Sequence, residues 1–223
     1  NMQTTNILDR YKAGIIGSGD VGKTLASGFL KHGYDVMIGT EHKEKLNEWI
    51  KSNNNIKIGS FAEASYFGDI IIIAVKGTAV KEALKIAEFD KIKNKTVIDA
   101  TNPISDEPPV NGVLKFFTSL DNSLMEQLQK IYPQLNFVKA FNSIGNALMV
   151  DPEFDEIKPT MFICGNNEDS KKEVKKIVEE FGFEVEDMGK AESARAIEPL
   201  CILWCIPGFL RNEWNHAFKL LKK

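Results

Sequence analysis

Cysteine, histidine and runs of like charge are scarce in this chain of 223 residues. Three cysteines, Cys164, Cys201 and Cys205, lie among apolar neighbours, and their odd number indicates reduced thiols rather than a disulfide framework. Cys201 and Cys205 are one helical turn apart, a spacing that suits a redox pair or two metal ligands. Because no third or fourth ligand lies nearby in the sequence, buried thiols are the better interpretation, and we expect no metal site.

Positive charge is also scarce, since 28 Lys and Arg stand against 31 Asp and Glu, for a formal net charge of −3. Nucleic-acid-binding domains carry a basic face, so no nucleic-acid partner is expected. The most apolar run, residues 200–210, is about half of the ~20 residues that a membrane span requires and contains Pro207 and Gly208. Residues 1–10 lack the apolar centre of a secretory signal, and we expect them to be a loose leader. These absences predict a cytoplasmic protein with no membrane partner.

What the sequence does contain is a glycine turn, Gly17-x-Gly19-x-x-Gly22, between an apolar run at 13–16 and a helical stretch at 21–30. In such a turn the first glycine permits the tight bend, the second lets backbone amides approach a pyrophosphate, and the third lets helix and strand pack closely. The motif predicts a dinucleotide-binding site. Its expected cofactor-binding residues are Gly17, Ser18, Gly19, Asp20, Val21 and Gly22. For Asp20 we expect helix capping rather than phosphate contact, because its charge opposes that of the phosphate.

Short β-type runs alternate with helical runs, which predicts an α/β fold of the Rossmann type, a doubly wound, mostly parallel sheet with a small C-terminal helical extension. The unbroken apolar run at 70–75 fits a central strand covered on both faces. Eight strands are predicted, at residues 13–16, 34–38, 56–58, 70–75, 96–99, 136–140, 161–164 and 183–186. Residues 11–190 should form the dinucleotide-binding domain. Residues 191–223 should form a helical tail that Pro199 and Pro207 break into short helices.

Two helix starts and one long loop are also predicted. Ser60-x-x-Glu63 and Ser123-x-x-Glu126 have the spacing of capping boxes. The loop at 103–117 follows the fifth strand and should therefore lie at the carboxyl edge of the sheet, where ligands bind in open α/β folds.

The choice of dinucleotide depends on the end of the second strand, Gly39-Thr40-Glu41-His42-Lys43. NAD-binding sites of this type carry an acidic residue about 20 positions after the first glycine. Here glycine and then Thr40 end the strand, which leaves room and a hydroxyl donor for a 2′-phosphate and favours NADP. Glu41 opposes a phosphate unless it points outward and His42 and Lys43 compensate, so NAD stays possible. The alternative is that residues 41–43 are only a solvated helix start.

Further motifs follow the glycine turn in a fixed order: Val36-Met37-Ile38-Gly39-Thr40, Val97-Ile98-Asp99-Ala100-Thr101-Asn102-Pro103, Val138-Lys139-Ala140-Phe141-Asn142 and Cys164-Gly165-Asn166-Asn167. With them the chain resembles the NADP oxidoreductases that reduce the deazaflavin coenzyme (factor 420), whose relatives include the cytosolic domain of the six-transmembrane metalloreductases. The resemblance runs from about Lys12 to Leu221. It includes Arg195-x-x-Glu198 in the tail, which we expect to be a structural ion pair on one helix.

The resemblance implies that NADP is held by the glycine turn and by a Ser/Thr-Arg pair after the second strand. Thr40 keeps the hydroxyl of that pair, whereas Glu41 stands where the arginine is expected. A flavin or deazaflavin ring is then expected against the nicotinamide, in a cleft between the nucleotide domain and the C-terminal part. The further residues expected to bind the cofactor are Thr40, Glu41, His42, Lys43, Ala74, Val75, Lys76 and Asn102. Those on the acceptor side are Asn142, Ser143, Ile144, Trp204 and Pro207.

We therefore expect an NADP(H)-dependent oxidoreductase that transfers hydride between nicotinamide and a small flavin- or deazaflavin-like acceptor. That chemistry requires two flat rings held close together and no acid-base pair, and none of His32, His42 and His216 lies beside a suitable strand end, so no catalytic residue is assigned. The alternatives are a non-catalytic dinucleotide sensor and a dehydrogenase or imine reductase, whose proton donor would come from Lys76 or the Asn102 region. The tail carries more aromatic side chains than it can bury alone, which predicts a homodimer through the C-terminal helical part.

Overall fold

Eight strands and eight α-helices are formed by residues 11–223, the part of the chain that the computed structural model describes. The strands are β1 Lys12–Ile16, β2 Asp35–Gly39, β3 Lys57–Gly59, β4 Ile70–Ile73, β5 Thr96–Asp99, β6 Asn136–Lys139, β7 Thr160–Gly165 and β8 Glu184–Asp187. The helices are α1 Asp20–Lys31, α2 Asn47–Lys51, α3 Phe61–Phe67, α4 Val80–Ile86, α5 Leu124–Ile131, α6 Glu168–Glu180, α7 Ala194–Ile197 and α8 Leu200–Arg211. Residues 1–10, the expected loose leader, lie outside the described residues.

The strands form one sheet in the order β3-β2-β1-β4-β5-β6-β7-β8. The first six strands are parallel, β7 runs antiparallel to β6, and β8 runs parallel to β7. The order reverses between β1 and β4, which is where an open α/β sheet leaves a crevice for a ligand. The predicted Rossmann-type, mostly parallel sheet is confirmed.

Two apolar layers cover the sheet, one on each face. Successive side chains of a strand point to opposite faces, so Ile15 of β1 packs with Leu25 and Phe29 of α1, whereas Ile16 packs in the layer formed with α3, α4 and α5. All four isoleucines of β4 are fully buried. This strand shows no polar alternation because helices cover both of its faces.

The two predicted capping boxes begin α3 and α5. Ser60 Oγ accepts a hydrogen bond from the Glu63 amide at 3.0 Å, and the Glu63 carboxylate accepts one from the Ser60 amide. Ser123 and Glu126 make the same reciprocal pair. Each pair satisfies two amides that lack a partner inside the helix, and a capping residue of this kind contributes about 1 kcal/mol.

The C-terminal part differs from the predicted helical tail. Pro199 is the N-cap of α8, but Pro207 lies inside α8 and does not end it. Proline leaves the carbonyl of Leu203 without its helical donor, and the helix accommodates this loss at a residue that is exposed on the surface of the single chain. The helix ends at Arg211, where Asn212 adopts a left-handed conformation with φ 55°. The prediction of helix in residues 212–223 is wrong.

The tail crosses the carboxyl edge of the sheet from one apolar layer to the other. Ala194 and Ile197 of α7 pack in the layer of α3 to α5, whereas Trp204 of α8 packs in the layer of α1 and α6. The last residues follow the outer strands, where the Thr160 amide of β7 donates to the Phe218 carbonyl at 2.8 Å. The tail therefore packs against the edge of the sheet at which the glycine turn also lies.

One helical stretch, Ala191–Arg211, is long and apolar enough by length and composition alone to cross a membrane, with a mean hydropathy of 1.3. The expectation of no membrane partner was based on the apolar run at residues 200–210 alone. The helical stretch is longer than that run because α7 leads almost directly into α8. Core helices of soluble proteins pass the same test, and 33% of the apolar window is buried here. The absence of a membrane partner stays a prediction.

Candidate active site

The glycine turn joins β1 to α1, and its three glycines differ in their surroundings. Gly17 has a φ of +125°, and a Cβ there would lie 2.4 Å from the Ala74 carbonyl oxygen. A Cβ at Gly22 would lie 2.2 Å from the Gly17 carbonyl oxygen, whereas one at Gly19 would meet no atom within 4 Å. Packing inside the protein therefore requires glycine at the first and third positions. The second position faces open space, where a pyrophosphate can approach the backbone.

The first turn of α1 leaves backbone amides for a ligand. Gly19 is the N-cap, no side chain caps the helix, and the Lys23 amide makes the first helical hydrogen bond, to the Gly19 carbonyl at 2.9 Å. Asp20 is exposed in this turn, so the expected capping by Asp20 is wrong. Uncapped amides at a helix N-terminus carry the positive end of the helix dipole and favour an anion.

Thr40 connects the end of β2 to the glycine turn. Its Oγ1 lies 2.7 Å from Ser18 Oγ and accepts a hydrogen bond from the His42 amide at 3.0 Å. Thr40 is buried, whereas Glu41, His42 and Lys43 are exposed beside it. The structure therefore brings the predicted hydroxyl next to the turn and places three ionisable side chains on the adjoining surface.

A cavity of 390 Å³ lies at the carboxyl ends of β4 and β5. The predicted residues Val75, Lys76 and Asn102 line it, and Ala74 lies beneath, against Gly17. The other lining residues come from the turn after β4 and the loop after β5: Gly77, Thr78, Ala100, Thr101, Ile104, Ser105 and Asp106. The residues predicted for the cofactor are therefore brought together along one edge, from the glycine turn to Asn102.

Asn102 and Asn142 bind each other at this edge. Asn102 Nδ2 donates to the Asn142 carbonyl at 2.8 Å, and Asn142 Nδ2 donates to Asn102 Oδ1 at 3.2 Å. Asn142 Nδ2 also donates to the Ile197 carbonyl at 3.0 Å, which joins the pair to the tail. Asn142 Oδ1 is buried and has no hydrogen-bond partner, an arrangement that is rare in native structures and favours a functional explanation.

The chain turns sharply between β6 and Asn142. Phe141 adopts a φ of 64°, which is strained for an aromatic residue. Its ring is fully buried against Phe181 and Phe183, at centroid distances of 5.7 and 6.3 Å, and this packing holds the strained conformation. Asn142 is thus placed by a rigid turn.

The predicted acceptor-side residues are close together but mostly buried. Ser143 and Ile144 follow Asn142 and are buried. Trp204 packs directly on Gly145, where a Cβ would lie 2.5 Å from the indole ring, and its N–H donates to the His216 carbonyl at 2.8 Å. Pro207 lies one turn further along α8. The structure places Trp204 beneath the loop that carries Asn142, as a packing residue rather than as the wall of an open cleft.

A buried ion network behind the cavity was missed by sequence reasoning. Lys139 Nζ lies 2.8 Å from each of Asp99 Oδ2, Glu198 Oε2 and the Thr101 carbonyl oxygen. The side chains of Lys139 and Asp99 are fully buried. Burial alone would lower the pKa of Lys139, but the two carboxylates outweigh it and raise the pKa to about 12. The available signal was that Asp99 and Lys139 each end a strand directly after two apolar residues.

The expected pair of Arg195 with Glu198 is wrong. Arg195 binds Glu126 of α5 through two nitrogens, at 2.7 and 3.1 Å, and Glu198 binds Lys139 instead. Both carboxylates therefore connect the tail to other elements rather than stabilising α7 locally.

The cysteines are free thiols, of which Cys164 and Cys201 are buried and Cys205 is partly buried. Burial raises the pKa of Cys164 to about 12. Within residues 11–223, no group of three or more His, Cys, Asp and Glu side chains is arranged to hold a metal ion.

Residues 12–103 match the family model described as NADP oxidoreductase, coenzyme F420-dependent. Metalloreductase STEAP3 of Rattus norvegicus is 28% identical over 204 residues, which are 89% of this chain and 39% of the relative. Metalloreductase STEAP2 of Homo sapiens is 26% identical over 194 residues, which are 86% of this chain and 36% of the relative. The chain thus spans less than two fifths of the length of these curated relatives.

A solved structure from Arthrobacter sp. FB24, whose proposed identity is an F420-dependent NADP reductase, aligns with a TM-score of 0.87 at 27% identity, covering 96% of this chain and 100% of that one. The chain is related to this family of NADP oxidoreductases. The resemblance seen in the motifs is confirmed. A reductive aminase from Aspergillus terreus, solved in complex with NADPH and ethyl levulinate, aligns with a TM-score of 0.66 at 15% identity. The alignment covers 91% of this chain and 63% of the aminase chain, and it shows a shared fold only.

Replacing Gly19 with valine tests the glycine turn. Gly19 has an ordinary φ of −75° and open space around it, so Gly19→Val should fold normally. Its side chain would fill the space that a pyrophosphate requires, and NADPH binding should be lost in a fluorescence titration. Lys172→Val, on the exposed face of α6, is the control and should bind normally. Unchanged affinity in Gly19→Val would show that the nucleotide binds elsewhere.

Proposed function

We propose that this chain binds NADPH on the glycine turn and transfers hydride from the nicotinamide to a flat, flavin- or deazaflavin-like acceptor at the carboxyl edge of the sheet, in the cytoplasm. The observation that carries the proposal is the continuity of the site. The open turn at Gly19 leads along the sheet edge past Ala74 to the cavity lined by Lys76 and Asn102. A dinucleotide that binds with its pyrophosphate at the turn and crosses the sheet edge brings its nicotinamide to that cavity.

Position is what hydride transfer between two rings requires. Two flat rings held close together, with water excluded, need no acid-base pair from the protein. The asparagine pair and the strained turn at Phe141 supply a rigid edge for such a site. An imine reductase would also need a proton donor, and exposed Lys76 is the candidate in the cavity. A non-catalytic sensor would bind NADPH without oxidising it.

We further propose NADP rather than NAD as the cofactor. Thr40 beside Ser18 offers a hydroxyl at the end of β2, and Lys43 supplies positive charge on the adjoining surface. Glu41 is exposed, so its carboxylate can turn toward solvent and away from a 2′-phosphate.

Lys43→Ala tests this preference. Loss of an exposed contact to the 2′-phosphate should weaken NADPH about fivefold, which corresponds to about 1 kcal/mol, and leave NADH affinity unchanged. Lys45→Ala, an exposed lysine of the same segment, is the matched control. Titration calorimetry of each variant with NADPH and with NADH measures both affinities. Equal losses of affinity for NADPH and NADH would show that residues 41–43 serve the fold and do not contact the 2′-phosphate. A native preference for NADH would indicate that Glu41 binds the ribose hydroxyls instead.

Asn142→Leu tests the position of the acceptor. The variant loses the amide that joins the site to Asn102 and the tail, so turnover should fall at least tenfold, about 1.4 kcal/mol in barrier height, with little change in NADPH affinity. Asn122→Leu, at an exposed asparagine of the loop before α5, should turn over normally. NADPH oxidation is followed with riboflavin, FMN, a deazaflavin, a quinone and a ferric chelate. A folded Asn142→Leu with normal turnover on the best acceptor would place the acceptor elsewhere.

The proposed homodimer is formed through α8. Its outer face carries the exposed side chains Leu203 and Leu210, and Val110 in the loop after β5 is exposed close by, since Gly112 of that loop packs on Leu210. A contiguous apolar surface of this kind favours association of two copies.

Leu203→Glu should convert the dimer to a monomer in light-scattering chromatography, because a carboxylate in the centre of the interface is desolvated without a partner. Ile157→Glu, at a similarly exposed apolar residue of the loop before β7, outside α8, should leave the dimer intact. A native protein that is monomeric at micromolar concentration, or a Leu203→Glu variant that stays dimeric, would contradict the proposal.

A further inference from the structure

Three segments of the chain meet around one buried ammonium group. Lys139, at the end of β6, has three acceptors at 2.8 Å: Asp99 of β5, Glu198 between α7 and α8, and the Thr101 carbonyl. The Thr101 carbonyl accepts a hydrogen bond from the ammonium, and the two carboxylates form ion pairs with it. Because none of these side chains reaches solvent, water cannot replace a missing partner.

The carboxylates of the network are held from their other sides as well. Glu198 accepts hydrogen bonds from the Leu124 and Met125 amides at the start of α5, at 2.8 and 3.0 Å. Asp99 Oδ1 accepts from the Thr101 amide at 2.9 Å and the Thr101 hydroxyl at 2.6 Å. The network carries one excess negative charge, and the N-terminal dipole of α5 offsets it. Both carboxylates are therefore held by backbone or hydroxyl donors in addition to Lys139.

The partners of Lys139 adjoin the residues that hold the asparagine pair. Thr101 precedes Asn102, which exchanges hydrogen bonds with Asn142. Glu198 follows Ile197, whose carbonyl accepts the second N–H of Asn142. The two acceptors of the Asn142 amide are therefore the Asn102 side chain and the Ile197 carbonyl, and each belongs to a residue next to a partner of Lys139.

We propose that Lys139 is a positioning residue, which orients the Asn102–Asn142 pair at the nicotinamide end of the site by holding Thr101 and Glu198, without itself touching a ligand. The inference rests on the proposed function for its kinetic consequence. Its structural content, the orientation of the two amides, does not depend on which acceptor is used. Charged hydrogen bonds suit this role because their direction is fixed, whereas apolar contacts tolerate sliding.

The test uses Lys139→Met together with the charge-balanced variant Lys139→Met/Glu198→Gln. The single variant leaves two carboxylates buried without their cation, so its rate and spectrum are compared with those of the native protein only if the variant folds. The double variant keeps the net charge and keeps an acceptor for the α5 amides. Arg195→Met is the matched control, because it removes another cation–carboxylate contact of the tail that does not lead to the asparagine pair.

Three readouts separate positioning from folding. In the folded double variant, NADPH affinity should stay within about twofold, because the glycine turn is untouched. The single-turnover rate of NADPH oxidation with FMN or a deazaflavin should fall at least tenfold. The side-chain amide resonances of Asn102 and Asn142 in a ¹H–¹⁵N spectrum should lose the distinct shifts of a fixed pair, and Arg195→Met should keep native values in all three.

Native amide resonances together with a native rate in a folded double variant would overturn the proposal. Loss of folding in both Lys139 variants would also overturn it, because the network would then serve the fold alone. Should the native protein bind NADPH but reduce none of the acceptors, the proposed function fails, while the amide resonances still decide the role of Lys139.

Discussion

A buried ammonium group must have an acceptor for each N–H, and this requirement connects the carboxyl edge of the sheet to the C-terminal tail. Lys139 has the carboxylates of Asp99 and Glu198 and the Thr101 carbonyl within 2.8 Å, partners that come from two separate parts of the chain, the end of β5 and the tail. Removing one partner of a buried ion pair costs about 3–5 kcal/mol, a large share of the stability of a domain. The tail is thus connected to the sheet edge, because Glu198 supplies one of the three acceptors around the Lys139 ammonium.

The two ends of the proposed site present different kinds of groups, backbone at one end and side-chain amides at the other. At the glycine turn the surface proposed for the ligand is backbone: close packing requires glycine at positions 17 and 22, and Gly19 faces open space. At the other end, a strained Phe141 and an exchanged pair of asparagine amides provide fixed polar groups. Rigid elements on both sides suit a reaction in which the protein contributes position rather than proton transfer. The Oδ1 atom of Asn142 is buried in this pair without a hydrogen-bond partner.

Local patterns predicted most of the fold. The unbroken run of β4 identified a covered central strand, and the Ser60–Glu63 spacing located the start of α3, because both signals depend on neighbours in sequence. The structure of the C-terminal tail was harder to predict from the sequence. Whether the helix continues through Pro207 depends on the surroundings of the Leu203 carbonyl, which loses its helical donor. Those surroundings are a property of the folded molecule and not of the local sequence.

The same limit applies to the site. The glycine turn was predictable because its chemistry is contained in six residues. The partner of Glu198 was not, because Arg195 satisfies the local spacing rule, whereas Lys139 becomes a neighbour only through the pairing of Asp99 with Lys139 across β5 and β6.

The central claim is direct hydride transfer from a nicotinamide held at the carboxyl edge, and isotope transfer tests it most directly. The protein is mixed with NADPH that carries deuterium on one face of C4, or on the other, together with a deazaflavin, whose accepting carbon retains the label. Mass spectrometry of the reduced deazaflavin should show one deuterium from one face of NADPH only, because a rigid site presents a single face. A reduced product without deuterium from either face, or with label from both faces equally, would contradict the account.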